Sequence, residues 1–166
     1  MLKTKRLYLR NFCHADVDIL FNYRNDSRCN LYQRYEDTGK AYLQKFVQDY
    51  SHSTFLSGEE EQHYAIVCIA SNAMIGDLSV FFSEKDNCFT LGITIAPQFQ
   101  RQGYAYELLR EVIVQIQNRD PSVDIVALIE KDNTKSISLF KKLHFIEECY
   151  ADSIQSYVFI IYGQKD

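Results

Sequence analysis

Leu91-Gly-Ile-Thr-Ile-Ala-Pro-Gln-Phe-Gln-Arg-Gln-Gly-Tyr-Ala-Tyr106 is the stretch on which the fold turns. An apolar strand ends at Pro97, a short polar turn follows, and an amphipathic helix is expected to start near Gly103. Glycine lets the backbone approach a ligand closely, and Ala105 keeps the next turn uncrowded. The free amides of the first helical turn then point together, reinforced by the helix dipole. That makes an anion site suited to a phosphate or diphosphate. The alternative is a plain strand–turn–helix connection in an ordinary α/β domain. The strand is not followed by Gly-x-Gly-x-x-Gly, which speaks against a dinucleotide fold. No Gly-Lys-Ser/Thr ending offers ATP a lysine or a metal-binding hydroxyl.

The chain has 166 residues, 46% hydrophobic and 24% charged, enough for one globular domain with a real core. Net charge is −4 and the pI about 5.6, so a broad electrostatic footprint for nucleic acid is not expected. That net charge favours a cationic partner through steering, but only weakly. The N-terminal Met-Leu-Lys-Thr-Lys-Arg runs straight into an alternating pattern with no apolar signal core. The apolar runs near Ile66–Ala70 and Val158–Tyr162 are strand-sized, so no membrane association is expected. Five cysteines, at 13, 29, 68, 88 and 149, are odd in number and widely spaced, without Cys-x-x-Cys. We therefore expect no disulfide framework, no metal, and a reducing, cytoplasmic setting. The four histidines lack ligand spacing.

Arg6–Phe12 alternates like a half-buried strand, and Asp16–Arg24 places Val17, Leu20 and Phe21 on one helical face. Thr38 is expected to cap a second helix carrying Tyr42, Leu43, Phe46, Val47 and Tyr50. Ser51–Gln62 reads as a polar, acidic loop. Strands follow at His63–Ile69, Met74–Phe82 and Cys88–Ile95, joined by turn-rich segments as an antiparallel meander. The helix from Gly103 to Asn118 turns Ala105, Leu108, Leu109, Val112, Ile113 and Ile116 inward. Asp124–Glu130 is a strand, Asn133–Leu143 a helix, and Phe145–Cys149 and Gln155–Tyr162 two last strands. The order βααβββαβαββ predicts an α/β fold with a mixed, mostly antiparallel sheet and helices on both faces. The helix after Ile95 is a crossover, so the strands it joins should run parallel, with the anion turn beyond their carboxyl ends.

The spacing Gln100-x-x-Gly103-x-Ala105 resembles the acetyl-CoA-binding signature of the GNAT N-acetyltransferase superfamily. The resemblance covers nearly the whole chain, as one domain over 1–166. Within it the pattern is most similar to the RimJ/RimL-type and spermidine acetyltransferase branch. Thr4-Lys-Arg-Leu-Tyr-Leu-Arg10 with Ala15-Asp16 resembles that branch's opening. Met74-Ile-Gly-Asp-Leu78 resembles its third strand. Asn133-Thr-Lys-Ser136, continuing to Leu139-Phe-Lys-Lys-Leu-His-Phe145, resembles its Asn-x-x-Ser helix ending in Leu-Gly-Phe.

The resemblance implies an acetyl-CoA cosubstrate whose pantetheine arm pairs with the strand carrying Ile93, Thr94 and Ile95. Its diphosphate would rest on the amides of Arg101, Gln102, Gly103, Tyr104, Ala105 and Tyr106, with the Arg101 cation beside them. Asn133 either caps its helix or turns its amide toward the cofactor arm. Many members place a tyrosine where this chain has Phe140, and Ser136 is then the candidate proton donor. Ser136 as a locally satisfied helix serine is the alternative. Thr90 stands where the branch often has a glutamate, leaving Asp77 and Glu84 as acids near the sheet, and His144 replaces the glycine of Leu-Gly-Phe. Tyr32, Tyr35, Tyr42 and Tyr50 fall in the region that walls the family's acceptor site. The expected activity is acetyl transfer to a primary amine, on a small molecule or a protein N-terminus, by direct attack in a ternary complex. A catalytically silent acyl-CoA-binding sensor or scaffold is the competing reading, and a homodimer stays open.

Overall fold

The computed structural model describes residues 1–57 and 61–164. Part of the loop expected over Ser51–Gln62, residues 58–60, lies outside the described residues. Seven strands form one sheet: β1 (Leu7–Arg10), β2 (Gln62–Cys68), β3 (Met74–Ser83), β4 (Cys88–Ile95), β5 (Asp124–Glu130), β6 (Ile146–Ala151) and β7 (Ser156–Ile161). The helices are α1 (Asp16–Arg24), α2 (Ser27–Asn30), α3 (Lys40–Asp49), α4 (Tyr104–Arg119) and α5 (Thr134–Lys142). Strand order across the sheet is β1-β2-β3-β4-β5-β7-β6. Every neighbouring pair is antiparallel except β4 and β5, as the crossover through α4 requires.

Two apolar clusters hold the layers together, one on each face of the sheet. Leu108, Leu109, Val112, Ile113 and Ile116 of α4 pack with Leu78, Leu91, Ile125 and Phe159 on one side. On the other, Val17, Leu20 and Tyr23 of α1 meet Leu43, Phe46 and Val47 of α3 over Ala65 and Val67 of β2. Each fully buried Leu or Ile here contributes about 1.5–3 kcal/mol of transfer free energy. No helix among the described residues is long and apolar enough to cross a membrane.

Two local expectations need correction. The element order contains an additional one-turn helix, α2, capped by Asp26, whose side chain accepts from Arg28 N–H. Four residues are too few to register as a periodicity. Thr38 does not cap α3: Gly39 occupies the cap, and the Thr38 hydroxyl donates to Asn25 Oδ1 at 2.8 Å. His144 holds the left-handed position after α5 at φ 68°. There its N–H meets Lys141 O and that of Phe145 meets Phe140 O, the Schellman arrangement that glycine usually completes.

β3 and β4 approach so closely at Gly76 that a Cβ there would lie 2.0 Å from Thr94 O. Only glycine fits without moving a strand backbone. We therefore expect Gly76→Ala to cost about 1–3 kcal/mol, the usual penalty of overpacking, read as a lower urea midpoint at unchanged slope. Wild-type stability in that variant would mean the two strands can separate there.

Candidate active site

The parallel pairing of β4 with β5 is brief. Cys88, Phe89 and Thr90 align with Asp124, Ile125 and Val126, and registered pairing goes no further. β5 turns instead to pair along its length with β7. Beyond Thr90 the two strands part and leave a wedge.

The hydrogen-bond direction in β4 says which groups open onto that wedge. Ala96 N–H donates to Ile75 O at 2.8 Å, on the β3 side. The β3–β4 register runs unbroken to Ile95, so Thr94 and Gly92 direct their backbone groups to β3 like Ala96. The backbones of Ile93 and Ile95 face the wedge. Of these, the Ile95 carbonyl is already engaged: the Gln100 amide donates to it at 2.9 Å, and the Cys29 thiol meets it at 3.5 Å. Ile93 is thus the strand residue placed to pair with an extended ligand. The expectation for Thr94 shifts, because it reaches the cavity by its side chain instead.

Gln100 also explains how the turn is closed. Its side chain bridges back to the strand end, while the chain reverses through Arg101 at φ 62° and Gly103 at φ 79°. Gly103 caps α4 with no side chain of its own in the way. Amides of the first α4 turn therefore stay uncovered for an anion. Asn133 Oδ1 accepts from Ser136 N–H at 3.2 Å, so of its two readings the cap is the one realised by that oxygen.

A cavity of about 700 Å³ joins these parts. Ile93, Thr94 and Ile95 form its floor, Arg101, Gly103, Tyr104, Ala105 and Tyr106 one side, and Asn133 and Ser136 another. Gln102 alone of the proposed cofactor residues is not on this lining; its carbonyl faces Arg6. The remaining wall comes from α2 and the loop after it, including Cys29, Tyr32 and Gln33. Burial pushes the Cys29 thiol up to about 11, which leaves it protonated at neutral pH.

Neither acid foreseen near the sheet reaches this cavity. Glu84 is exposed in the β3–β4 hairpin, at the opposite end of β4. Asp77 is 6% exposed and inaccessible. It accepts from the Tyr23 hydroxyl at 2.7 Å and pairs with Arg24 at 2.8 Å. The Arg24 guanidinium lies between the Tyr35 and Phe46 rings, 4.7 and 4.4 Å from their centroids. Tyr35 in turn places its hydroxyl 3.3 Å from that of Thr94. Burial, and then the nearby Asp77 charge, push the Tyr35 phenol above its ordinary value, so it stays neutral. Phe140 is buried, its ring edge-on to Phe145.

Sequence reasoning did not find this buried network. Tyr35 was one aromatic among several, and Arg24 lay at the end of a helix with no motif to mark it. The Gln100 bridge had a signal, since Gln100 opens the Gln-x-x-Gly-x-Ala spacing, but a spacing does not say which group a side chain reaches.

Residues 6–146 match the acetyltransferase (GNAT) domain model. A curated relative, an uncharacterized N-acetyltransferase YnaD of Bacillus subtilis, is 21% identical over 86% of this chain and 80% of its own. RimL, an alpha-N-protein acetyltransferase of a ribosomal protein solved with coenzyme A, superposes with TM-score 0.74. It is 21% identical over 96% of this chain and 95% of its own. A chimera of the Vibrio cholerae spermidine N-acetyltransferase SpeG superposes with TM-score 0.74 at 17% identity, covering 95% and 96% of the two chains. The chain belongs to the GNAT acetyltransferase family. Its enzyme class is the one that family defines.

The buried ion pair sets a stability expectation. Removing one partner strands the other charge out of water, so Asp77→Ala should cost about 3–5 kcal/mol. Replacing both, as Arg24→Met with Asp77→Leu, should cost clearly less. Urea titration of Asp77→Ala, of Arg24→Met and Asp77→Leu singly, and of the double variant, each against wild type, decides this, and additive losses would show that the two groups do not act as a pair.

Proposed function

We propose that the chain is an acetyl-CoA-dependent N-acetyltransferase that moves the acetyl group to a primary amine by direct attack in a ternary complex. The observation that carries this reading is the single cavity in which the open Ile93 backbone, the uncovered amides of the α4 turn and the start of α5 converge. The donor fits those groups in kind. An extended amide arm pairs with a strand edge, and a diphosphate suits amides at a helix N-terminus beside Arg101. Acetyl-CoA supplies an activated thioester, and the residues of the chain do the rest. Residues 1–166 act as one catalytic unit in this reading.

The amine nitrogen forms a bond to the thioester carbon, the carbon–sulfur bond breaks, and the departing sulfur takes a proton. A strand N–H at Ile93 stands ready to polarise the carbonyl. Ser136, on the cavity wall at the first turn of α5, is the proton donor in this scheme. Holding amine and thioester together supplies a large share of the acceleration even with modest acid–base help. The acceptor is a small-molecule amine or a protein N-terminus, the two classes represented by the relatives that act on spermidine and on a ribosomal protein. Five unpaired cysteines support a cytoplasmic setting. The buried Phe140, which has no proton to give, favours a second reading: a silent acyl-CoA-binding module.

Binding is tested first. Acetyl-CoA should raise the melting temperature, since a ligand that binds only the native state stabilises it by mass action. Gly103→Glu should abolish the shift, because it sets bulk and negative charge on the turn. An undiminished shift would place the donor elsewhere.

Catalysis is tested with a panel of amines, by release of free coenzyme A. Ser136→Ala should lower turnover about a hundredfold and leave acetyl-CoA affinity nearly unchanged. A variant that melts lower yet turns over normally would reduce Ser136 to a structural role. Binding without turnover on any amine would favour the silent module.

A further inference from the structure

The opening segment Thr4–Arg6 is drawn onto the start of α4, more than a hundred residues away in sequence. The Thr4 hydroxyl donates to Glu107 Oε1 at 2.7 Å, and the Arg6 N–H donates to the same oxygen at 2.8 Å. The Arg6 Nε donates to the other carboxylate oxygen, Oε2. A further arm of that guanidinium, Nη1, reaches the Gln102 carbonyl at 2.9 Å. The Arg6 plane lies over the Tyr104 ring, 4.5 Å from its centroid, and its Nη2 is 3.5 Å from where a Cβ on Gly103 would stand. Arg6 and Thr4 thus grip the carbonyl before the cap, the ring after it and the carboxylate one turn in. None of the three residues lines the cavity.

Two features of the turn call for such a grip. Its backbone passes through the left-handed region twice, at Arg101 and at Gly103, and Arg101 is not a residue that prefers it. Glu107 also places a negative charge in the first turn of the helix that is to receive an anion. Burial alone would raise the Glu107 carboxyl, but hydrogen bonds from Thr4 and Arg6 outweigh it and hold the group below its usual range, ionised. That charge therefore has to be countered where it stands.

We infer that Thr4, Arg6 and Glu107 form a positioning clamp that fixes the Gln100–Gly103 turn in its anion-receiving geometry and cancels the Glu107 charge beside it. This rests on the acetyl-CoA reading of the cavity and adds to it a role for residues that never touch the donor. The clamp acts on the phosphate end of the ligand only. It has no contact with the wedge at Ile93, where the pantetheine arm would lie.

That separation provides the test. Calorimetric titration compares coenzyme A with pantetheine, which keeps the arm and lacks the phosphates; ligand-observed NMR serves where pantetheine binds weakly. Arg6→Ala should weaken coenzyme A about fivefold or more and leave pantetheine unchanged. Arg6→Ala combined with Glu107→Gln should regain a large part of that loss, because the uncancelled charge is gone. Arg6→Lys keeps the charge but not the fork and should lose roughly threefold for coenzyme A alone, which covers the case in which Arg6→Ala does not fold. Equal weakening of both ligands would mean a general structural defect and overturn the clamp. So would undiminished coenzyme A affinity in either Arg6 variant. A double variant no better than Arg6→Ala would overturn the charge-cancelling half. Failure of the wild-type protein to bind coenzyme A would instead sink the acetyl-CoA reading itself.

Discussion

Everything at the site depends on where β4 and β5 stop pairing. Two parallel strands that stayed in register to their ends would satisfy each other's backbone groups and leave no opening. Here the registered pairing ends at Thr90 and Val126, and β5 continues against β7. Backbone N–H and C=O groups out of a ladder carry a cost unless something meets them. At Ile95 the structure meets part of it internally, with the Gln100 amide and the Cys29 thiol. At Ile93 it does not, and the backbone groups of that residue open onto the wedge.

The turn beyond the wedge is held from three directions. Gln100 ties it to the end of β4, Gly103 supplies the left-handed cap of α4, and Arg6 reaches in from β1's approach to hold Gln102 and Glu107. On the other face of the sheet the Arg24–Asp77 pair does comparable work, fastening α1 to β3 behind Thr94. Such a pair adds little net stability once desolvation is counted, since both charges leave water. Its effect is on geometry: with α1 fixed against the sheet, Tyr35 is held against Thr94 and α2 is placed at the cavity wall.

Much of this was legible in the sequence, and the reason is periodicity. β4, β5 and α1 were read at their observed bounds because apolar spacing and punctuating residues agree there. The parallel pairing of β4 with β5 followed from chain order alone, since a helix crossover forces two strands parallel while hairpins draw their neighbours away. Side-chain reach was not legible. Whether Gln100 points to solvent or back to Ile95, and whether Asp77 is solvated or locked under Arg24, depends on residues up to 71 positions apart, as the Gln100 contact with Cys29 illustrates. The α2 turn was missed because one turn of helix has no repeat to detect. The Thr38 cap failed because Gly39 took the capping position and Asn25 offered Thr38 another partner.

Net charge is a weak guide to the field at this cavity. A chain at −4 suggests attraction for cations, yet the cavity wall carries Arg101, Lys135 and Lys142 against a single acid, Asp132, with Arg28 already paired to Asp26. Exposed charges more than about 8 Å away are largely screened at physiological salt, so the nearby groups set the potential that a bound molecule feels. Lys142 also lies over the Tyr106 ring at 4.7 Å, which holds that cation beside the start of α4. The local field is therefore opposite in sign to the global one and suits an anionic ligand.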